Sequence, residues 1–296
     1  MNPGPSETAT SESWTVRRLL VWTTDYLRRK GAESPRLDAE VLLAHVLGWE
    51  RVALYTHYEE EIGDAGKAQF RALVKSRAEG APVAYLVGRK EFYSLKFRVS
   101  PHVLIPRPDT EFVVVEFLNA FKDVPNARFV DVGTGSGCIA ISCVHSHKTA
   151  TAIAIDLSSD AIGVAQQNAQ SNGVEGRMEF RQGSLLEPVT SEGPFDAILS
   201  NPPYIRSDVI PQLEPGVRNY EPHLALDGGP DGLVLVRPLI KQAIPLLKTG
   251  GQILLEIGSD QEHDVRALLE AEPSLKLYPT IRDLANHPRV LRAKKV

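Results

Sequence analysis

Phe129-Val130-Asp131-Val132-Gly133-Thr134-Gly135-Ser136-Gly137 is the stretch that decides the fold. A short apolar, β-branched run entering a glycine-rich turn reads as a buried strand, a tight loop and the start of a helix. Such a turn brings backbone close to a ligand, and the helix N-terminus offers free N–H groups. The chain continues Cys138-Ile139-Ala140, without the Lys and Ser or Thr that a phosphate-cradling loop needs. A dinucleotide fingerprint would prefer Gly or Ala near Cys138. Asp131 at the strand end would repel a pyrophosphate but can face a cationic or amino group. An adenosyl ligand with a sulfonium centre and an α-amine suits that electrostatics better.

Downstream the rhythm is that of an α/β protein. Strands are expected at Arg128 to Val132, Thr151 to Ile155, Met178 to Gln182, Phe195 to Ser200 and Gln252 to Ile257. Periodic segments near 136–147, 158–172, 232–248 and 261–275 separate them, which predicts a mostly parallel sheet covered on both faces. The second strand runs into Asp156-Leu157. A carboxylate there can accept hydrogen bonds from both ribose hydroxyls, and Leu157 can lie against an adenine face. Ser184 and Leu185, beyond the third strand, are expected to edge the same pocket.

The fourth strand opens onto Asn201-Pro202-Pro203-Tyr204. In an open parallel sheet the C-terminal strand ends line the ligand crevice, so Asn201 should face whatever the glycine loop holds. Two prolines stiffen this turn and donate no N–H. The Asn201 side-chain carbonyl and the Pro202 backbone carbonyl form an acceptor pair matched to a planar NH₂ group, on whose π system Tyr204 can stack. Two such acceptors favour the charge that develops on a poorly nucleophilic nitrogen and align it for in-line displacement. The chemistry implied is methyl transfer to a planar nitrogen, with no side chain assigned as general base.

Upstream, Val16, Leu19, Leu20, Thr23 and Leu27 recur at helical spacing, with Gly31 as a stop. A second helix is expected from Ser34-Pro35 to Gly48, with Leu37, Val41, Ala44 and Leu47 on one face. A third is expected from Asp64 to Glu79, using Ala65, Ala68, Leu73 and Val74. Short amphipathic helices need each other, so a small bundle is expected over residues 1–84, with a frayed polar tail over 1–13. Aromatic and β-branched residues predict a hairpin connector at 85–105, and an α/β domain fills 106–296. A new helix should start near Asp109 or Thr110, because Pro106 and Pro108 forbid an earlier one.

A length of 296 residues allows about two domains. The net charge of −4 gives no general attraction to nucleic acid or anionic membrane. No apolar run approaches the ~20 residues of a membrane span. Two cysteines, Cys138 and Cys143, are too few for a disulfide framework, and a reduced cytoplasmic setting is expected. His145 and His147 do not share a helix face and have no metal-site spacing, so no metal is expected.

The turn Asn201 to Tyr204 with the loop Gly133 to Gly137 resembles the S-adenosylmethionine-dependent amino-methyltransferases. Pro82 to Gly88, Glu91-Phe92, Leu104 to Glu111, Ala225 to Leu233, Glu256 to Gly258 and Asp283 to Arg289 are similar, more narrowly, to the peptide-chain release factor N5-glutamine methyltransferases. That resemblance covers almost everything from about residue 14 onward. It implies a Rossmann-like, seven-stranded, mostly parallel sheet, with a helical N-terminal domain and hairpin that help engage a release factor. It implies S-adenosylmethionine as methyl donor, S-adenosylhomocysteine as product, no metal, and the glutamine amide of the Gly-Gly-Gln motif of bacterial-type release factors as acceptor. A monomer that binds neither membrane nor, stably, nucleic acid is expected.

By position, Asp131, Gly133, Thr134, Gly135 and Gly137 would hold the methionine portion and Asp156 the ribose. Leu157, Ser184 and Leu185 would border the adenine. Asn201, Pro202, Pro203 and Tyr204 would grip the glutamine, with Asn201 also reaching the cofactor. Thr110 and Glu111 would close the pocket near the methionine end. Two departures stand out: Ser184 occupies a position that is often acidic, and Asn286 one that is often Gly. The rival is an adenine or cytosine methyltransferase using the same acceptor pair on a flipped base, against which stand the negative charge and the lack of a basic run. A protein that kept the fold and lost turnover is a further alternative, disfavoured by the intact Asn201 to Tyr204 turn.

Overall fold

The computed structural model describes residues 13–296, so the tail expected over residues 1–13 lies, Ser13 apart, outside the described residues. The chain divides after Val87 into two compact units.

The first unit contains α1 (Val16–Arg29), α2 (Pro35–Leu47), α3 (Ala53–Thr56), α4 (Asp64–Ala78) and α5 (Val83–Val87). The Thr15 hydroxyl accepts from Arg18 N at 3.3 Å and caps α1, while Gly48 ends α2 at φ +67. Val16, Leu20 and Leu27 of α1 pack with Leu42 and Leu43 of α2 and with Phe70 and Val74 of α4.

The inward face of α2 differs from the expected one. Leu37 is 43% exposed, whereas Asp38, Ala39, Glu40, Leu42, Leu43 and Ala44 are buried. Both acids turn inward because arginines meet them: Arg77 Nε lies 2.7 Å from Asp38, and Arg36 Nε 2.5 Å from Glu40. Apolar periodicity cannot anticipate such pairs. On α4, Ala65 and Ala68 are exposed, and Phe70 with Val74 supplies the buried face. Tyr85 to Val87, expected in the hairpin connector, instead end α5 and belong to the first unit.

The second unit opens with the hairpin β1 (Arg89–Phe92) and β2 (Leu95–Arg98), followed by α6 (Glu111–Phe121) and β3 (Arg128–Val132). Then come α7 (Cys138–Ser146), β4 (Thr151–Asp156), α8 (Ser159–Ser171), β5 (Met178–Gln182), β6 (Phe195–Ser200), α9 (Pro215–Arg218) and α10 (Val236–Leu246). The chain closes with β7 (Leu247–Glu256), α11 (Glu262–Glu270), β8 (Leu275–Leu277), β9 (Ile281–Arg282) and β10 (Pro288–Lys295).

The sheet runs β5-β4-β3-β6-β7-β10-β8, with the two-residue β9 pairing β10 as an eighth strand beyond the seven expected. Strands β5, β4, β3, β6 and β7 are parallel, and β10 and β8 close the edge antiparallel. The β7 strand starts five residues before the expected Gln252, at Leu247, which pairs with Phe195 ahead of a register irregularity.

Alternation along the strands divides the core. Phe129, Ala154, Ala197 and Leu199 pack with Phe117 of α6 and Ile139 of α7 on one face. Val130, Val132, Ile155 and Ile198 pack with Leu239 of α10 and Val265 of α11 on the other. No helix among the described residues is long and apolar enough to cross a membrane.

Candidate active site

Strand order reverses between β3 and β6, because β3 continues outward to β4 and β5 while β6 continues to β7. Crevices form at such switch points. Val132 is register partner to Ser200, so the loops after them leave the sheet side by side, and Ser200 Oγ donates to Val132 O at 2.7 Å. A cavity of about 280 Å³ opens between them. Its lining includes Gly133, Thr134, Gly135, Asp156, Leu157, Ser184, Leu185, Asn201, Pro202, Pro203 and Thr110, together with Leu104, Pro106, Arg107 and Leu224 from covering segments.

The glycine loop is wired internally. Gly133 N and Thr134 N donate to Ile155 O, each at 2.9 Å, Gly135 N to Asp156 Oδ2 at 2.8 Å, and Gly137 N to Thr134 O at 2.8 Å. Those N–H groups are spent on the fold, so the loop is no phosphate nest. Gly133 and Gly135 have φ of +72 and +56, and a Cβ on either would meet nothing within 4 Å.

Asp156 holds the loop and the start of α8 together, accepting from Gly135 N and, at 2.9 Å, from Ser158 N. Burial raises its pKa above the ordinary carboxylate range, against those N–H bonds. Asp131 lies fully buried behind the loop. Its Oδ2 accepts from Thr134 Oγ1 at 2.7 Å and Ala140 N at 3.3 Å, while Oδ1 has no partner. Burial pushes its pKa up to about 7. Cys138 and Cys143 are free and buried, and burial pushes the Cys138 thiol up to about 12.

At the other lip, Asn201 Nδ2 donates to Thr110 Oγ1 at 3.1 Å. Among the described residues no group donates to the Pro202 carbonyl, although Pro202 is buried. Residues 225–233 clamp the outside of this turn. Ile205 N donates to Leu226 O at 3.1 Å, Gly228 N to Ile205 O at 2.8 Å, and Gln261 Nε2 to Tyr204 O at 3.0 Å and Gly232 O at 3.2 Å. A Cβ on Gly228 would lie 2.7 Å from Pro203 O, and one on Gly232 would collide with Tyr204 O, so both glycines are there for close approach. Beneath the turn sits buried Glu256, whose Oε2 has no hydrogen-bond partner. Burial pushes Glu256 up to about 7, opposed by the Thr110 and Tyr204 hydroxyls that face it.

Four expected site residues are not in the cavity wall. Glu111, expected to close the pocket, accepts from Tyr93 N at 2.9 Å and lines a separate recess with Glu91 and Ser94. Tyr204 is half-buried behind the wall, its hydroxyl turned to Glu256. Asp131 and Gly137 support the glycine loop from behind, where a Cβ on Gly137 would strike Ile141.

Arg107 anchors the proline turn: it pairs with buried Glu221, whose Oε2 accepts from Ile105 N at 3.1 Å. Glu221 and Gln261 carry no local sequence signal, since their partners lie 116 and 57 residues away.

These residues fit S-adenosylmethionine. Asp156 and, above about pH 7, Asp131 give the loop a negative floor suited to a cation, and among the described residues the buried Oδ1 of Asp131 has no hydrogen-bond partner. Leu157, Leu185, Ile139 and Ala161 offer apolar wall for a purine. Among the described residues no group of three or more His, Cys, Asp or Glu could hold a metal ion.

Comparison with known proteins gives a consistent picture. The chain matches the PrmC N-terminal domain over residues 18–88 and the methyltransferase small domain over residues 112–212. It is 40% identical to the release factor glutamine methyltransferase of Rhodopirellula baltica, over 98% of this chain and 99% of that protein. Identity to the proteins of that description from Geobacter sulfurreducens (86% of this chain, 88% of that one) and Moorella thermoacetica (94% and 98%) is 42% in each case. Among solved structures, the hMettl16 catalytic domain superposes with a TM-score of 0.55 at 15% identity, covering 75% of this chain and 81% of that one. A methyltransferase from Pyrococcus furiosus gives 0.51 at 19% identity, covering 76% and 97%. Likeness at those identities concerns the fold alone.

Proposed function

The chain belongs to the release factor glutamine methyltransferase family, and from that membership we propose how its cavity methylates the N5 side-chain amide of the glutamine in the Gly-Gly-Gln motif of peptide chain release factors. The modification acts on the group that release factors use in translation termination. S-adenosylmethionine, when bound, supplies a methyl group on a positively charged sulfur and leaves as S-adenosylhomocysteine. Asp156 receives the ribose, Leu157, Ser184 and Leu185 border the adenine, and Gly133, Thr134 and Gly135 take the methionine portion. Asp131 acts from behind the loop through the negative charge it carries above about pH 7.

The chain's own chemistry lies in the Asn201 turn. An amide nitrogen is a poor nucleophile because its lone pair is delocalised into the carbonyl. Asn201 Oδ1 and the Pro202 carbonyl accept its two N–H bonds, which orients the nitrogen and sets two negative dipoles where positive charge develops. Proline carbonyls held by a rigid turn need no reorganisation during the reaction. The nitrogen becomes more acidic as it gains a substituent, and its surplus proton leaves without an assigned general base. Pro203 and Tyr204 shape the slot, Tyr204 by fixing the far end of the turn. The helical unit and the hairpin serve release-factor engagement, and the protein acts as a monomer.

The observation that carries this reading is a pair of carbonyl acceptors beside the glycine-loop cavity, Asn201 Oδ1 and Pro202 O, to which no group among the described residues donates. The test is transfer of labelled methyl from S-adenosylmethionine to purified release factor, to a copy whose Gly-Gly-Gln glutamine is alanine, and to unmethylated duplex DNA. Label on the intact factor alone, abolished by Asn201→Ala, is expected. Label on DNA, or on the alanine copy, would overturn the acceptor assignment.

A further inference from the structure

We propose that Thr110 is a positioning residue that sets the rotational state of the Asn201 side-chain amide, with Glu256 fixing the direction of the Thr110 hydroxyl. The inference rests on the amide-methylation reading above and adds to it the device that aims the acceptor.

An asparagine amide presents an oxygen acceptor and an NH₂ donor of nearly equal size, so a half-turn exchanges them. Only one state serves a substrate NH₂, the one with Oδ1 toward the cavity; the flipped state sets donor against donor. Backbone stiffness cannot choose between the two, because both prolines lie after the Asn201 side chain. The choice falls to whatever meets the inner edge of the amide.

That neighbour is Thr110 Oγ1, 3.1 Å from Asn201 Nδ2. A hydroxyl carries one proton and can accept as well as donate, so by itself it would tolerate either state. Thr110 is 2% exposed, so its hydroxyl turns to protein partners before bulk water. The carboxyl of Glu256 faces the hydroxyl, is itself 2% exposed, and holds an Oε2 that no donor among the described residues reaches. Above about pH 7, where Glu256 is ionised and can only accept, it draws the Thr110 proton toward itself. Thr110 then has only lone pairs to offer Asn201, Nδ2 turns to meet them, and Oδ1 is left facing the cavity.

The placement has a simple origin. Thr110 ends the turn that begins at Pro108 and stands one residue before α6, Asn201 follows β6, and Glu256 ends β7, the parallel neighbour of β6. Arg289 holds the Thr110 turn in place, with Nη2 3.0 Å from Asp109 and Nε 2.9 Å from Asp283. Asp109 and Arg289 both act on Glu256, and their pairing with each other keeps the Asp109 carboxylate from drawing the Thr110 proton.

The experiment compares Thr110→Val, which keeps the shape and loses the hydroxyl, with Thr110→Ser, which restores it. Steady-state methylation of a release factor is measured together with the dissociation constant for S-adenosylmethionine in the absence of release factor. The expected result is a kcat lowered about tenfold to hundredfold in Thr110→Val, with KM for the factor and cofactor affinity within about twofold. Thr110→Ser should return most of the loss. A direct readout is the Asn201 side-chain NH₂ pair in nitrogen-15 NMR spectra of the ligand-free protein. One proton should be shifted and slow to exchange in the native and serine forms, and this signature should vanish in Thr110→Val.

A Thr110→Val protein with native kcat overturns the proposal, as does an unchanged Asn201 NH₂ signature. Loss of cofactor binding in parallel with kcat would assign Thr110 a merely structural role and overturn it too. If the native protein fails to label release factor glutamine, the functional reading falls instead, and the NMR comparison still decides the orientation of the amide.

Discussion

Replacing Asp131 by asparagine should change the pH dependence of stability by an amount that follows from its burial. Asp131 is fully buried, and its carboxyl is pushed from the ordinary 3.8 to about 7. Between those values the unfolded chain has released the proton and the folded chain still holds it. The unfolded state binds fewer protons there, so stability falls as pH rises through the window and is level on either side. A gap of about three pH units corresponds to about 4 kcal/mol at 1.36 kcal/mol per unit.

Asparagine does not titrate, so Asp131→Asn removes that slope. It carries a cost of its own: Nδ2 would occupy the place of Oδ1, which has no partner, and a buried unmet donor costs about 1–3 kcal/mol. That cost is the same at every pH and cancels when two pH values are compared. Glu256, also pushed up to about 7, contributes equally to both proteins and cancels as well.

Denaturant or thermal unfolding of the ligand-free pair at pH 4 and pH 8 should therefore show the variant gaining about 4 kcal/mol on the native protein between the two conditions. The corresponding relative gain in Tm is roughly 8–16 °C for a unit of this size. Parallel behaviour, with one offset at both pH values, would mean that Asp131 is ionised in the fold and would refute the reasoning. At pH 8 the variant should also bind S-adenosylmethionine more weakly, since the loop has lost a negative charge.

Two further substitutions probe the walls of the site. Asp156→Ala removes the acceptor for Gly135 N and Ser158 N and the proposed ribose ligand; calorimetry should show cofactor affinity falling about tenfold to hundredfold, and unchanged affinity would exclude the ribose role. Gly232→Ala puts a side chain at φ +74 and against the Tyr204 carbonyl. Left-handed strain alone costs about 1–2 kcal/mol, so a lowered Tm and a displaced turn should appear, with kcat falling more than cofactor affinity. Native kcat in that variant would show that the clamp over residues 225–233 does not position the turn.

Local signals carried much of the molecule. Phe129 to Gly137, Asp156 and Asn201 to Tyr204 each announce themselves within a few residues, because a strand end, a tight turn and a rigid proline pair have short-range sequence requirements. The helices of the first unit were legible as helices, but the buried face of α2 was not, since Asp38 and Glu40 go inside only when Arg77 and Arg36 arrive from elsewhere in the fold. Glu111 was misjudged for the same reason: its neighbour in sequence, Thr110, does line the cavity, while Glu111 points to Tyr93 N on the hairpin.

What the sequence by itself determined is the order of the parallel strands and the helices between them, the loop that leaves no phosphate lysine, and a proline-stiffened turn whose two carbonyls can be read as an acceptor pair. Only the tertiary structure decided how that pair is aimed. The Asn201 amide donates to Thr110, Thr110 is faced by Glu256, and the outer wall is tied through Arg107 to Glu221. Sequence separations of 91 and 114 residues divide Asn201 from Thr110 and Arg107 from Glu221. Hydrogen-bond direction in a buried cluster depends on which donors and acceptors meet there, and chain order alone does not state who meets whom.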